Sequence, residues 1–477
     1  MERILTSEQM RLADKFNIEN LGISKDILVD RAGMAVADEI DRRFLGGRVL
    51  VCIGKGNNGE DGRIVADVLS RKHGFSVATL TVSNGIFKIF DKKFDIIVDC
   101  IFGTGLNREV EGKYKTAIEK INASGAYVVS CDIPSGLNSD NGKPMGIAVK
   151  ANLTVAIQEF KLGHFLGDGI DYCGEVVAKD IGISIWGEDF VKRLNSDSVA
   201  RFFEARKRNV HKGDFGKCAI IGGSKQYSGG VLLSKNALCA FKSGMGYVNL
   251  VVPESLHCGY IGQVPECLLT PLKDVDGQMI VDEKVLSSLL AYDSIAVGMG
   301  MGVSEGVYEI VKYFLDNYEG KLLIDADGLN SLASFGVDLL KNKKCKVVIT
   351  PHIGEFSRLA GEDKDNIVAN PIESARKFAE EFDVTVVLKN AVSIITDGEN
   401  TFINTTGCAG LAKAGSGDVL SGFISGMISK SDDLVESAAA ACYLFGSAGE
   451  IATLEQTEFT VTASDVINAI PKAIKAL

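Results

Sequence analysis

At 477 residues the chain exceeds the usual size of one domain, so more than one core is expected, and two is the starting count. A hydrophobic content of 46% and a charged content of 24% argue against a disordered chain and against a coiled coil. A net charge of −11 with a pI near 5.2 gives no basic footprint for nucleic acid or an anionic membrane, which leaves small molecules as the expected ligands.

The opening segment MERILTSEQMRLADKF is charged where a signal peptide needs an apolar core. No stretch reaches ~18 uninterrupted apolar residues, so a cytoplasmic protein is expected. Two helical patterns come first, the earlier starting at Thr6 with Gln9 three residues on, the spacing of a capping box. Short apolar runs then alternate with helix-like segments, at 48–54, 75–82, 94–102, 126–133, 151–157 and 175–183. Near-continuous apolar runs fit strands buried on both faces of a mostly parallel sheet. From 187 to 210 the text is charged and without strong period, and the boundary is placed there, with domains 1–200 and 201–477. A second alternation gives strands near 217–222, 247–252, 294–298, 321–325, 346–350 and 384–388, then a hairpin turning at Asp397-Gly398. The eleven cysteines stand singly, at 52, 100, 131, 173, 218, 239, 258, 267, 345, 408 and 442, with no C-x-x-C pair. They read as buried free thiols.

Chemistry gathers at strand ends. GKGNNGEDG (54–62) formally satisfies G-x-G-x-x-G, but a dinucleotide fingerprint needs an acidic residue about 20 positions on, and residues 74–84 offer none. Asn57, Asn58 and Asp61 instead put amides and oxygens into the loop, which suits a ligand or a hard cation. DCIFGTGLNRE and CDIPSGLN bring Asp99, Asp132 and Ser135 to neighbouring strand ends, where parallel sheets bind ligands. Each aspartate alone could simply cap a turn. In the second half, 209–230 and GMGMG (298–302) are glycine turns after strands. Further on stand Asp325 and Asp327, His352 and Glu355, and Lys389. KAGSGDVLSG (413–422) puts glycines around a serine at the start of an apolar helix, a cradle for an anion. Asp418 beside it is either a plain cap or a carboxylate with chemistry to do.

Together, GxGNNGxDG, DxIFGTG and DIPSG resemble the epimerase domain of NAD(P)H-hydrate repair enzymes, the YjeF N-terminal type. HKGxxGxxxxxGGSxxYSG, DADxLN, TPHxGExxRL and AGSGDVLSG resemble their ADP-dependent dehydratase domain. The resemblance covers nearly the whole chain. It implies an α/β protein with a Rossmann-like three-layer first domain and a ribokinase-like second domain, acting on NADH and NADPH hydrates and on ADP. The first domain would interconvert R and S hydrates, and the second would dehydrate the S form at the expense of ADP. In the first domain the implied hydrate contacts are Asn57, Asn58, Gly59, Glu60, Asp61, Gly103, Thr104, Gly105, Leu106, Asn107, Arg108, Glu109 and Asp132. The implied potassium ligands are Asn58, Asp99 and Ser135. In the second, hydrate contacts fall on Gly302, Ile353, Gly354, Glu355, Phe356, Ser357, Arg358, Leu359 and Asp418. ADP contacts fall on Lys389, Asn390, Ala391, Val392, Ser393, Cys408, Ala409, Gly410, Leu411, Ala412, Lys413, Ala414, Gly415, Ser416 and Gly417. Asp418 would be the base of the dehydratase, Asp132 the proton-handling group of the epimerase, and a magnesium ion is expected with ADP. A homo-oligomer is expected too.

The sequence departs from the family pattern at Glu60 and Gly328, where glycine and alanine are usual. Ile353 and Ser416 likewise stand for a proline and a threonine. Two rival readings are a ribokinase-like vitamin-type kinase with an accessory ligand-binding domain, and a dinucleotide sensor that binds without turnover.

Overall fold

The computed structural model describes residues 1–85, 87–187, 189–236, 242–263 and 265–477, without the side chains of 233, 235 and 236. The chain divides into two compact units, Glu2–Phe190 and Val191–Leu477, Met1 being grouped with the second. The division thus falls ahead of the 200/201 expectation. Residues 191–200 carry Leu194 and Val199 into the core of the second unit, so the charged text hides a structural segment.

The strands of the first unit are β1 (Glu2–Leu5), β2 (Gly47–Ile53), β3 (Phe75–Thr81), β4 (Ile96–Cys100), β5 (Tyr127–Cys131), β6 (Leu153–Ile157), β7 (Phe160–Lys161) and β8 (Glu175–Lys179). Six form one sheet in the order β3-β2-β4-β5-β6-β8, parallel throughout. Alternate residues of one strand enter separate cores: Val49, Val51 and Ile53 join one cluster, Leu50 and Cys52 the other. The helices Lys25–Arg43 and Asn57–Arg71 cover the first face, and Gly112–Asn122 covers the second through Ala117, Ile118 and Ile121. Burial on both faces is why the runs read as continuously apolar. The helix Ser7–Glu19 starts at Thr6 with the expected capping box to Gln9.

The second unit holds β9 (Val191–Arg193), β10 (Lys217–Ile221), β11 (Tyr247–Pro253), β12 (Leu268–Leu272), β13 (Asp274–Val275), β14 (Gln278–Met279), β15 (Ser294–Val297), β16 (Lys321–Ile324), β17 (Lys346–Ile349), β18 (Thr385–Leu388), β19 (Ser393–Thr396) and β20 (Thr401–Asn404). Their order is β12-β11-β10-β15-β16-β17-β18-β19-β20-β9, with β13 and β14 a separate pair. Strands from β12 to β18 run parallel, and β18, β19 and β20 are antiparallel. The helices Ser416–Ile428, Leu434–Glu455 and Ala463–Lys475 close one face of this sheet. Among the described residues no helix is long and apolar enough to cross a membrane.

The cysteine expectation needs correction. Seven thiols are buried, but Cys258 is exposed and Cys267 and Cys408 are half-buried, while Cys239 lies outside the described residues. Burial pushes Cys173, Cys345 and Cys442 up to about 12, which leaves them inert at neutral pH.

Candidate active sites

In the first unit a cleft of about 680 Å³ opens over the carboxyl ends of the strands. The helix Asn57–Arg71 begins directly behind β2 because Gly59 packs its Cα against the Gly54 carbonyl; a Cβ there would stand 2.2 Å from that oxygen. The tight turn brings Asn57, Asn58 and Asp61 to the cleft wall, where Gly103 to Arg108 and Asp132 join them. Gly59, Glu60 and Glu109 are not on that wall. The Glu60 carboxylate pairs with Lys25 at 2.7 Å, so the departure from glycine places a charge beside the loop without aiming it at a ligand.

Asp99, expected at a strand end, is the penultimate residue of β4 and is wholly buried. It accepts from the Ser135 hydroxyl at 2.6 Å, the Ser135 N–H at 2.8 Å and the Ser130 hydroxyl at 3.0 Å. Burial still pushes its carboxyl above the ordinary range. Beside it the Asn58 amide donates to the carbonyls of Phe102 (2.6 Å) and Cys131 (3.3 Å), while its Oδ1 is buried with no hydrogen-bond partner. An orphaned amide oxygen next to a buried carboxylate and a hydroxyl is a donor set that fits a hard monovalent cation.

Asp132 follows β5 with φ +66°, the left-handed region that a non-glycine residue holds only under constraint. The constraint is visible. Its carboxylate pairs with the buried Lys161 and accepts from the Ile157 N–H at 3.0 Å, and its carbonyl meets His164 Nε2 at 2.8 Å. Lys161, on two-residue β7, was not singled out in the sequence, since a lone lysine reads as solvated. Asp14 was missed likewise. It sits on the cleft wall, raised to about 6 by burial, with Lys161 and Asp132 among the charges acting on it. Asp61 is raised further, to about 8, by burial and then by the charge of Asp132.

The second candidate site gathers four acids and one lysine. Lys389, one residue past β18, sends Nζ to Asp325 Oδ1 at 3.0 Å and is 18% exposed. Burial opposes its charge, but Asp325 and Glu355 outweigh it and raise its pKa. The same ammonium would stand 3.4 Å from a Cβ at Gly417, so it reaches the glycine loop. Ser421, one turn into the helix Ser416–Ile428, donates to the other Asp325 oxygen. Asp327 accepts from the Gly302 N–H at 2.8 Å, and Ala326 between the two aspartates is held at φ +49°. Gly415 caps the helix at φ +90°, a conformation glycine takes without strain. Behind it Asp418 is raised to about 6, by burial first and then by the neighbouring charge of Asp325. Asp418 is not the helix cap, so the bland reading of that residue fails; Gly415 fills the position.

His352 caps the helix Ile353–Ala360 through Nδ1, which accepts from the Gly354 N–H at 2.9 Å, and Glu355 reaches back to the His352 N–H at 2.9 Å. Ile353 is the first helical residue, where proline is also tolerated because the N–H has no intrahelical partner; that accounts for the exchange. Arg358 donates to Asn330 Oδ1. Neither Phe356 nor Leu359 is open to a ligand: Phe356 is fully buried against Phe378, and Leu359 is 4% exposed. Of the ADP set, Val392 is buried, and Lys413 spends its ammonium on the Phe459 and Val461 carbonyls. Among the described residues no group of three or more histidine, cysteine or acidic side chains is arranged to hold a metal.

Polar loops at the strand ends of two mostly parallel sheets, one with a glycine-cradled carboxylate, define a two-site α/β enzyme of nucleotide-like substrates. Comparison with known proteins narrows this. Residues 218–472 match the family described as NAD(P)H-hydrate dehydratase, and residues 25–89 and 83–163 match the YjeF-related protein N-terminus. The bifunctional NAD(P)H-hydrate repair enzyme Nnr of Thermofilum pendens is 32% identical over 100% of this chain and 97% of its own length. That of Dictyoglomus turgidum is 32% identical over 99% and 98%. Among solved structures, the ADP/ATP-dependent NAD(P)H-hydrate dehydratase of Bacillus subtilis covers 60% of this chain and 98% of its own, with 26% identity and a TM-score of 0.52. A ribokinase-like superfamily protein of Enterococcus faecalis gives 25% identity and the same TM-score, over 60% and 96%. The chain belongs to the family of bifunctional NAD(P)H-hydrate repair enzymes. The vitamin-type kinase reading is not favoured, since relatives match across both units.

Proposed function

We propose that this chain restores NADH and NADPH from their hydrates, the first unit interconverting R and S hydrates and the second dehydrating the S form with ADP. The observation that carries the reading is Asp418, a buried carboxylate at a glycine-capped helix start, with Lys389 reaching the same loop. In a hydrate the hydroxyl is a poor leaving group. Asp418 takes the hydroxyl proton, the oxygen attacks the terminal phosphoryl of ADP, and AMP leaves. Phosphate then departs with the C–O electron pair as the neighbouring carbon gives up a proton, and the ring double bond returns. The N–H groups of Gly415 to Gly417 and the ammonium of Lys389 stabilise the charge on the moving phosphoryl group.

Asn58, Asp99 and Ser135 are the residues that would hold potassium, which supplies a fixed positive charge beneath the hydrate cleft. Magnesium would enter the second site with the nucleotide and neutralise phosphate charge. The test is recovery of reduced-nicotinamide absorbance from mixed R and S NADH hydrate, with ADP, with ATP and with neither. Complete recovery that requires nucleotide supports both activities; recovery that stops at the S fraction removes the first. A stable phosphorylated product with no recovery refutes the dehydratase.

A further inference from the structure

The cleft of the first unit holds two aspartates in unlike states. Asp132 is fixed by Lys161, by the Ile157 N–H and by its own left-handed backbone. Asp61 lines the same cleft, is 9% exposed, and its carboxyl makes no hydrogen bond or ion pair among the described residues. It lies past the first turn of its helix, where the helix dipole no longer favours an anion. A nearly buried carboxyl without a partner keeps its proton. The charged groups around it are Asp132, Glu60, Lys25 and Asp14, and Lys25 is engaged by Glu60.

Resting on the epimerase reading above, we propose that Asp61 is the proton donor of the epimerisation, with Asp132 as the acceptor. Hydration of an enamine places the hydroxyl on the carbon bonded to nitrogen, so the hydrate is a carbinolamine. Asp132 takes the hydroxyl proton and the O–H electron pair becomes the second bond of a carbonyl. The C–N bond breaks, its electron pair stays on the ring nitrogen, and that nitrogen takes the proton of Asp61. Rotation about the adjoining carbon–carbon single bond presents the other carbonyl face. The nitrogen attacks it, returns its proton to Asp61, and the oxygen recovers its proton from Asp132. Nothing else is consumed.

The test uses the full-length protein with purified R NADH hydrate and no ADP, following formation of the S hydrate by chromatography. The parent should lose rate as the pH rises through about 8. Asp61→Asn should lose ~10²-fold or more and show no alkaline limb, while Asp61→Glu regains rate together with that limb. A thermal melt and turnover of the S hydrate with ADP show that the variants are folded. In water enriched in oxygen-18, early S product should keep its original hydroxyl oxygen. An Asp61→Asn enzyme that retains the parental rate or the alkaline limb overturns the proposal, as does solvent oxygen entering at every turnover. A parent that forms no S hydrate overturns the epimerase reading itself.

Discussion

Asp418 and Asp61 are both carboxyls displaced upward by burial, yet the chemistry asks opposite things of them. Asp418 has to be ionised to accept a proton. Asp418→Asn should therefore lower ADP-dependent turnover of S hydrate by ~10²–10⁴-fold, measured by recovery of reduced-nicotinamide absorbance, and leave R-to-S conversion running. The same substitution should stabilise the protein. With a folded pKa of about 6 against an ordinary aspartate value of 3.8, the folded state binds the proton more tightly than the unfolded one. Stability then falls as pH rises between those values, and the deficit is complete above about 6. Asp418→Asn should melt above the parent at pH 8 and no higher than it at pH 3.

Elements were the most legible scale. Every apolar run expected as a strand became one, and the Asp397-Gly398 turn joins β19 to β20. What escaped was short or at an edge. β12 carries Pro271 and, among the described residues, ends its sheet against β11, the edge position to which proline is confined. β1, β7 and β9 are too brief to show a period. The site residues that carry a motif, such as Asn58, Asp99 and Asp418, were visible because several glycines or acids stood together. Lys161 and Asp14 were not, because their meaning comes from tertiary packing around Asp132. The Gly59 packing gives a prediction at this scale. Gly59→Ala should cost about 1–3 kcal/mol, read from chemical denaturation, and should abolish epimerisation by shifting the start of its helix.

For the molecule as a whole, two compact units imply two separable activities. A fragment Val191–Leu477 should dehydrate S hydrate with ADP and leave the R form untouched. A fragment starting at 201 should be less stable, since it lacks Leu194 and Val199 from the core, each such side chain contributing about 1.5–3 kcal/mol when fully buried; comparison of their denaturation midpoints tests this.

The two displaced carboxyls have one more consequence. In the proposed roles, one step needs Asp418 stripped of its proton, above about 6, and the other needs Asp61 to keep its own, below about 8. Complete repair is then confined to a band of pH bounded by different units at its two sides. Acidification would stall the chain with both diastereomers present and still exchanging, whereas alkalinisation would drain the S form and strand the R form. The ratio of the two left in solution would report which unit had failed.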